Sequence, residues 1–199
     1  AANVYPFRAS SHFLYFVGAP IENAFLLVHG DDATLYVPAP DADDALWHGA
    51  APSLEERAEM LGCAIRTNDQ LAQDLSEYGD IATVPAPDAA TRAWQSSLLR
   101  RALERDGADA KLEHAIVALR SRHDGAARAA LEEAADATVA AHLAGIAATH
   151  VGAYEYEICA RMEATLAARH CGTAYGSIVS VHGEVLHNHH HDKRCAEGD

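Results

Sequence analysis

The sequence predicts a mixed α/β (α+β) fold in two parts. Three observations carry that prediction. The first third alternates short apolar runs with turn residues, helix-start signals lie between those runs, and from Asp109 onward the chain turns rich in Ala and Glu with helical spacing. The change of composition puts the joint near Gly107. Residues 1–107 then form a first α/β domain and residues 108–199 a helix-led second one.

The elements follow in order. Phe13-Leu14-Tyr15-Phe16-Val17 is an apolar run of the strand kind, closed by Gly18. Phe25–Val28 and Thr34–Val37 flank His29-Gly30-Asp31-Asp32 and predict a β-hairpin about a short polar turn. Ser53-Leu54-Glu55-Glu56 and Thr67-Asn68-Asp69-Gln70 are capping boxes, in which a hydroxyl and a side chain three residues on satisfy each other's free amides. They predict helices over 53–61 and 68–77, ending at Gly62 and Gly79, where a left-handed residue closes the last turn. Ile81–Val84 predicts another strand and 88–105 a third helix. In the second part a long helix starts near Asp124, with Leu131, Ala135, Thr138, His142 and Ile146 on one face, and ends by Gly152. Ile158, Met162, Thr165, Leu166 and Arg169 mark a further helix, with Arg169 and His170 in its last turn. Ile178–Val181 predicts a strand that leads into a histidine-laden loop.

Composition excludes several function classes. Fifteen Lys and Arg face 29 Asp and Glu, giving a net charge of −14, and such a surface repels nucleic-acid phosphate. No apolar run of about 18 residues is present to span a membrane, and no basic stretch followed by an apolar one marks a signal peptide at Ala1. The hydrophobic share of 49% is enough to bury a core. The cysteines, Cys63, Cys159, Cys171 and Cys195, lie far apart without a CxxC pair, as reduced thiols of the cytoplasm do.

Histidine usage is where chemistry is expected. Thirteen residues are histidine, and five of them fall between His182 and His191. Neighbouring His189, His190 and His191 cannot all face one ion on a strand, and the HExxH spacing that sets ligands on one face is missing. The run therefore reads as an exposed polar loop more readily than as a metal site. His187 is the better candidate: it follows apolar Val185-Leu186 at the expected strand end, where an imidazole can donate to a carbonyl oxygen or relay a proton. Tyr154 and Tyr156 read as packing residues, His142 as a hydrogen-bonded core histidine, and Trp47 as a half-buried aromatic at a turn. Cys171 beside His170 suggests a thiol–imidazole pair, but adjacent residues rarely reach nucleophile–base geometry.

Several segments, taken in order, resemble one family. The run Tyr5-Pro6-Phe7-Arg8-Ala9-Ser10-Ser11-His12-Phe13-Leu14-Tyr15-Phe16-Val17-Gly18 resembles the YPFRxxSxFxYLTG segment of Xaa-Pro aminopeptidases (aminopeptidase P) and related proline dipeptidases. Trp47-His48-Gly49-Ala50-Ala51-Pro52-Ser53 resembles their WxGxxxS stretch. Leu119-Arg120-Ser121-Arg122-His123-Asp124 resembles LRxxKD, with His123 in place of lysine. Gly152-Ala153-Tyr154-Glu155-Tyr156-Glu157-Ile158 resembles PGxxExE, with Val151 in place of proline. Ala174-Tyr175-Gly176-Ser177-Ile178-Val179, followed by Leu186-His187, resembles the YPSIV strand and LHY histidine.

The resemblance implies a creatinase-like N-terminal α/β domain followed by the first part of a pita-bread catalytic domain. It implies hydrolysis of the bond between an N-terminal residue and proline by a water held between two divalent metal ions, usually manganese. It gives His187 contact with the substrate near the scissile peptide and no place among the metal ligands. Glu197-Gly198-Asp199 resembles the run before the family's first metal aspartate, so the ligands are expected beyond Asp199 and no metal is expected on this chain. Ala1 begins where relatives already have a strand and a helix behind them, so both ends are expected to be cut. Asn188 stands where tyrosine is usual and His191 where asparagine is usual. The resemblance further implies a cytoplasmic homo-oligomer, a dimer, acting on peptides with proline second. Two rivals remain: a metal-free creatinase-like hydrolase using His187 as acid and base, and a non-catalytic protein-binding relative.

Overall fold

The computed structural model describes residues 7–41, 43–103 and 106–199, so Tyr5 and Pro6 of the first motif lie outside the described residues. The chain folds as two compact units, Ala1–Arg122 and His123–Asp199.

The first unit opens with helix α1 (Ser11–Val17), where the apolar run suggested a strand. Its ends explain the difference. The Ser10 side chain accepts the Phe13 amide, and Gly18 at φ +74° returns its amide to the Leu14 carbonyl, so both termini are satisfied locally. Strands β1 (Phe25–His29) and β2 (Asp32–Val37) form the predicted hairpin, with Phe25 opposite Tyr36 and His29 opposite Asp32. Gly30 takes φ +62° at the first position of the two-residue turn.

Helix α2 (Asp44–His48) carries Trp47 in full view of solvent at 78% exposure, not half-buried at a turn. Helix α3 (Leu54–Leu61) has the predicted Ser53–Glu56 capping box and ends at left-handed Gly62. Strand β3 (Ala64–Thr67), which periodicity did not show, then pairs parallel to β2, with Leu35 opposite Ile65. Parallel pairing needs a crossover, and α2 and α3 provide it. The sheet order is β1-β2-β3, so β2 is central, and its Leu35, Tyr36 and Val37 form the core with Leu71 of α4 (Asn68–Leu75). α4 has its predicted Thr67–Gln70 box but ends before Gly79. Helix α5 (Ala89–Leu98) is shorter than the run to Arg105 suggested, because Arg100 turns left-handed at φ +52°.

Ile81–Val84 forms no strand. Its backbone groups go to side chains: the Thr83 amide donates to Asp109 Oδ1 at 2.8 Å, Gln95 Nε2 donates to the Val84 carbonyl at 3.0 Å, and Arg101 donates to the Ile81 carbonyl. Asp109 lies in the first turn of α6 (Ala108–Arg120), fully buried, and both its oxygens receive Arg101. That fork holds α6 in the first unit, so the compact unit runs on past the composition change near Gly107.

In the second unit, α7 (Gly125–Ala148) starts from Asp124, whose carboxylate accepts the Ala127 amide, as predicted. It packs on α8 (Glu155–Ala167). The buried stripe of α7 is Ala137, Ala141 and Gly145, not the expected row from Leu131 to Ile146. Small residues let the two helices approach closely, and Ile158 and Cys159 of α8 complete this core. Leu131, Val139, Leu143 and Ile146 are more than half exposed. α8 stops at Ala167, and Arg169 and His170 lie in the turn beyond it, His170 at φ +59°. Residues 168–199 have no regular strand; the predicted strand at Ile178–Val181 does not form, and a single antiparallel bridge joins Tyr154 to Arg194.

Candidate functional site

The histidine loop is held against the start of α8. Glu155 is the first residue of that helix and is 1% exposed. Its two carboxylate oxygens accept the Val181 amide at 2.8 Å and the Lys193 amide at 3.0 Å. Burial works to raise the Glu155 carboxyl, but those two amides, the Ser180 hydroxyl and the Lys193 charge outweigh it, so the carboxyl sits below its ordinary 4.5. The free amides at the helix start are used as well: those of Glu155 and Tyr156 donate to the Lys193 and His191 carbonyls, each at 3.0 Å.

Side chains of the loop tie it to itself. His191 Nε2 lies 3.1 Å from the Ser177 carbonyl, and Asn188 Nδ2 donates to Ser180 Oγ at 3.0 Å. Ser177 Oγ in turn donates to Glu163 of α8. The Tyr154 and Tyr156 rings stack at 4.8 Å, with the Arg194 guanidinium 4.4 Å over Tyr154; Tyr154 packs as expected, whereas Tyr156 stays half exposed.

Within this frame His187 is exposed, at the second residue of a turn instead of at a strand end. His182 Nδ1 pairs with Glu184 at 3.1 Å, and His189 lies beside Gly176. Among the described residues, no three His, Cys, Asp or Glu side chains converge to hold a metal ion. His142 is exposed, its Nδ1 2.9 Å from the Thr138 carbonyl, and so is not a core histidine. Cys171 Sγ donates to the Arg169 carbonyl. Burial and the Glu163 charge push the Cys159 thiol up. All four cysteines are free. Among the described residues no helix is long and apolar enough to cross a membrane.

Sequence reasoning missed Glu155 and Asp109, the two buried carboxylates among the described residues, which organise extended segments. Glu155 was visible within the GxxExE-like stretch, but nothing in the spacing marked it as an amide acceptor.

Residues 1–84 match the family model described as the aminopeptidase P N-terminal domain. The fold matches zinc-substituted E. coli aminopeptidase P in complex with product, with TM-score 0.82 and 19% identity, over 100% of this chain and 50% of that one. Proline aminopeptidase P II from Yersinia pestis matches with TM-score 0.81 and 19% identity over the same shares. The low-pH form of the E. coli enzyme matches with TM-score 0.78 and 20% identity, again over 100% and 50%. Curated protein sequences give no significant match. The chain spans about half the length of the aminopeptidase P chains it resembles. It thus has the fold of aminopeptidase P over that half, and in residues 1–84 it carries the sequence pattern of that enzyme's N-terminal domain.

Proposed function

We propose that this chain is a fragment of an Xaa-Pro aminopeptidase, which hydrolyses the bond between an N-terminal residue and proline. The observation that carries the reading is the pairing of the N-terminal family match with a fold match along every residue. In this reading residues 1–107 are the creatinase-like domain and residues 108–199 open the pita-bread catalytic domain. The exposed Leu131, Val139, Leu143 and Ile146 of α7 support it, since apolar rows of this kind are normally covered by further structure.

The residues present do not fit a two-metal site, since no cluster of ligands converges among those described. The reading therefore places the ligands, two divalent ions of which manganese is the family's usual choice, on residues outside this chain. What this chain contributes is His187. Exposed on a loop fixed to α8, its imidazole donates a hydrogen bond to the substrate carbonyl oxygen, and the bond strengthens as that oxygen gains charge. The working protein is a cytoplasmic dimer acting on peptides whose second residue is proline.

A specific observation favours a second reading, a peptidase-like domain that binds protein without catalysis. Asn188 and His191, the two positions beside His187 that depart from the family pattern, are both engaged in holding the loop. A metal-free hydrolase with His187 as acid and base is the remaining rival. One assay separates the three. Release of the first amino acid from an Xaa-Pro peptide is measured with added manganese and with chelator, for the 199-residue chain and for the gene product extended past Asp199. Manganese-dependent release by the longer protein alone supports the first reading. Chelator-resistant release supports the metal-free rival, and no release by either supports the binding domain.

A further inference from the structure

We propose that Glu155 is the positioning residue of the histidine loop, a carboxylate clasp that joins both limbs of segment 177–195 to the first turn of α8 and so sets where His187 stands. The functional weight of that placement rests on the reading of His187 given above; the clasp itself rests on geometry alone.

Glu155 is the one residue of α8 whose bonds reach the backbone of both limbs. Oε1 takes the Val181 amide from the limb that enters the loop, and Oε2 takes the Lys193 amide from the limb that leaves it. No strand ladder competes for those amides, because neither limb forms a regular strand. The anchor is rigid: the helix start is fixed by Glu155 and Tyr156 amides donating to Lys193 and His191 carbonyls, and Ile158 and Cys159 one turn on are core. A carboxylate at a helix N-terminus is also favoured by the helix dipole. The chemistry needs both oxygens to accept. A glutamine of the same shape keeps one acceptor and turns an NH2 toward the second amide, so donor meets donor.

Besides Lys193, whose charge acts on Glu155, the titratable groups lining the cavity beside it are His150, Cys195, Glu197 and Asp199. A pH test must therefore follow the Glu155 carboxyl itself.

The test compares the 199-residue chain with its Glu155→Gln variant by amide hydrogen exchange and histidine NMR. Exchange at Val181 and Lys193 is expected to quicken roughly ten- to a hundredfold, the loss typical of a hydrogen bond to a charged acceptor. The His187 ring signals move, while Ala137 and Ala141 of α7 keep their protection. Unchanged exchange at both amides, or an unmoved His187, overturns the proposal. If the variant does not fold, acid titration of the wild type decides. The Val181, Lys193 and His187 signals must then share the midpoint of the Glu155 carboxyl carbon, with α7 unmoved. Separate midpoints, or loss of α7 together with the loop, overturn it. Neither readout uses turnover. Full kcat in a His187→Ala enzyme would end the catalytic reading and leave the clasp standing.

Discussion

Gly145 of α7 and Met162 of α8 meet so closely that a β-carbon on Gly145 would stand 2.7 Å from the Met162 sulfur and 2.9 Å from its Cγ. Alanine at Gly145 would gain about 1 kcal/mol in helix propensity. Forcing the neighbour aside costs about 1–3 kcal/mol. Gly145→Ala is therefore expected to lower stability by about 1 kcal/mol, and Met162→Ala to cost less in that background than in the wild type. Urea unfolding of the two single variants and the double variant checks this. Additive effects would mean that the helices do not touch there.

The Arg101–Asp109 fork carries a larger share. Asp109 is fully buried, takes both guanidinium nitrogens, and also receives the Thr83 amide. Asp109→Ala leaves Arg101 and that amide without this partner and is expected to cost about 3 kcal/mol, the lower end for a broken buried pair because Arg101 is 30% exposed. A loss below about 1 kcal/mol in thermal or urea unfolding would count against the fork as the anchor of α6.

Asp109 and Glu155 together show what was legible in the sequence. The hairpin, both capping boxes and the Asp124 cap rest on neighbours within a few residues, and spacing revealed them. Ile81–Val84 and Ile178–Val181 look like strands because their side chains suit one. One amide of each, Thr83's and Val181's, instead goes to a carboxylate 26 residues away, which no local pattern encodes. The buried stripe of α7 was missed because alanine and glycine carry little hydrophobic signal, although smallness is what close helix packing requires. His187 was expected at the end of a strand and stands instead in an exposed turn, a setting its apolar neighbours Val185 and Leu186 do not encode.

Acid should weaken the fold, and the sign follows from three carboxyls. The Tyr36 hydroxyl and then Arg66 hold Asp74 low, the Thr91 amide holds Asp88 low, and the amides of Val181 and Lys193 outweigh burial at Glu155. Each folded value lies below the ordinary one, 3.8 for aspartate and 4.5 for glutamate. Their stabilisation is thus complete above the ordinary values and lost as pH falls through the folded ones. Urea midpoints are expected to hold level down to about pH 4.5 and then drop. Relief of the −14 charge opposes this trend in the same range, so an Asp88→Asn comparison isolates the cap. Equal acid sensitivity with and without Asp88 would remove it from the account.

At the alkaline end Tyr36 is the group to watch. Burial, and then the hydrogen bond to Asp74, push its hydroxyl from 10.0 up to about 12. The neutral ring is favoured in the fold, so its contribution is present below pH 10.0 and lost as pH rises through about 12. Ultraviolet titration should show a tyrosinate step near 12 that Tyr36→Phe abolishes. A titration curve without that late step would show that the hydroxyl is open to water.

Under the function proposed above, His187→Ala in a protein extended past Asp199 is expected to lower kcat roughly 10²–10³-fold with metal content unchanged, as removal of one oxyanion donor does. Alanine at His189 or His190 should have small effects. His191 differs from them, because its ring holds the Ser177 carbonyl, so His191→Ala is expected to fall between the two. Measured kcat and metal stoichiometry decide. Metal loss in His187→Ala, or full kcat, would show the role is misassigned.

The clasp at Glu155 also sets an order of events as the chain folds. The α7–α8 hairpin closes over a short connection, whereas the Val181 and Lys193 bonds span 26 and 38 residues and give nothing until the helix start exists to receive them. Loop closure costs entropy before such contacts repay it. Pulse-labelled exchange during refolding should therefore protect Ala137 and Ala141 first and Val181 and Lys193 last, which leaves the histidine segment as the latest part of its unit to acquire shape and the first to lose it.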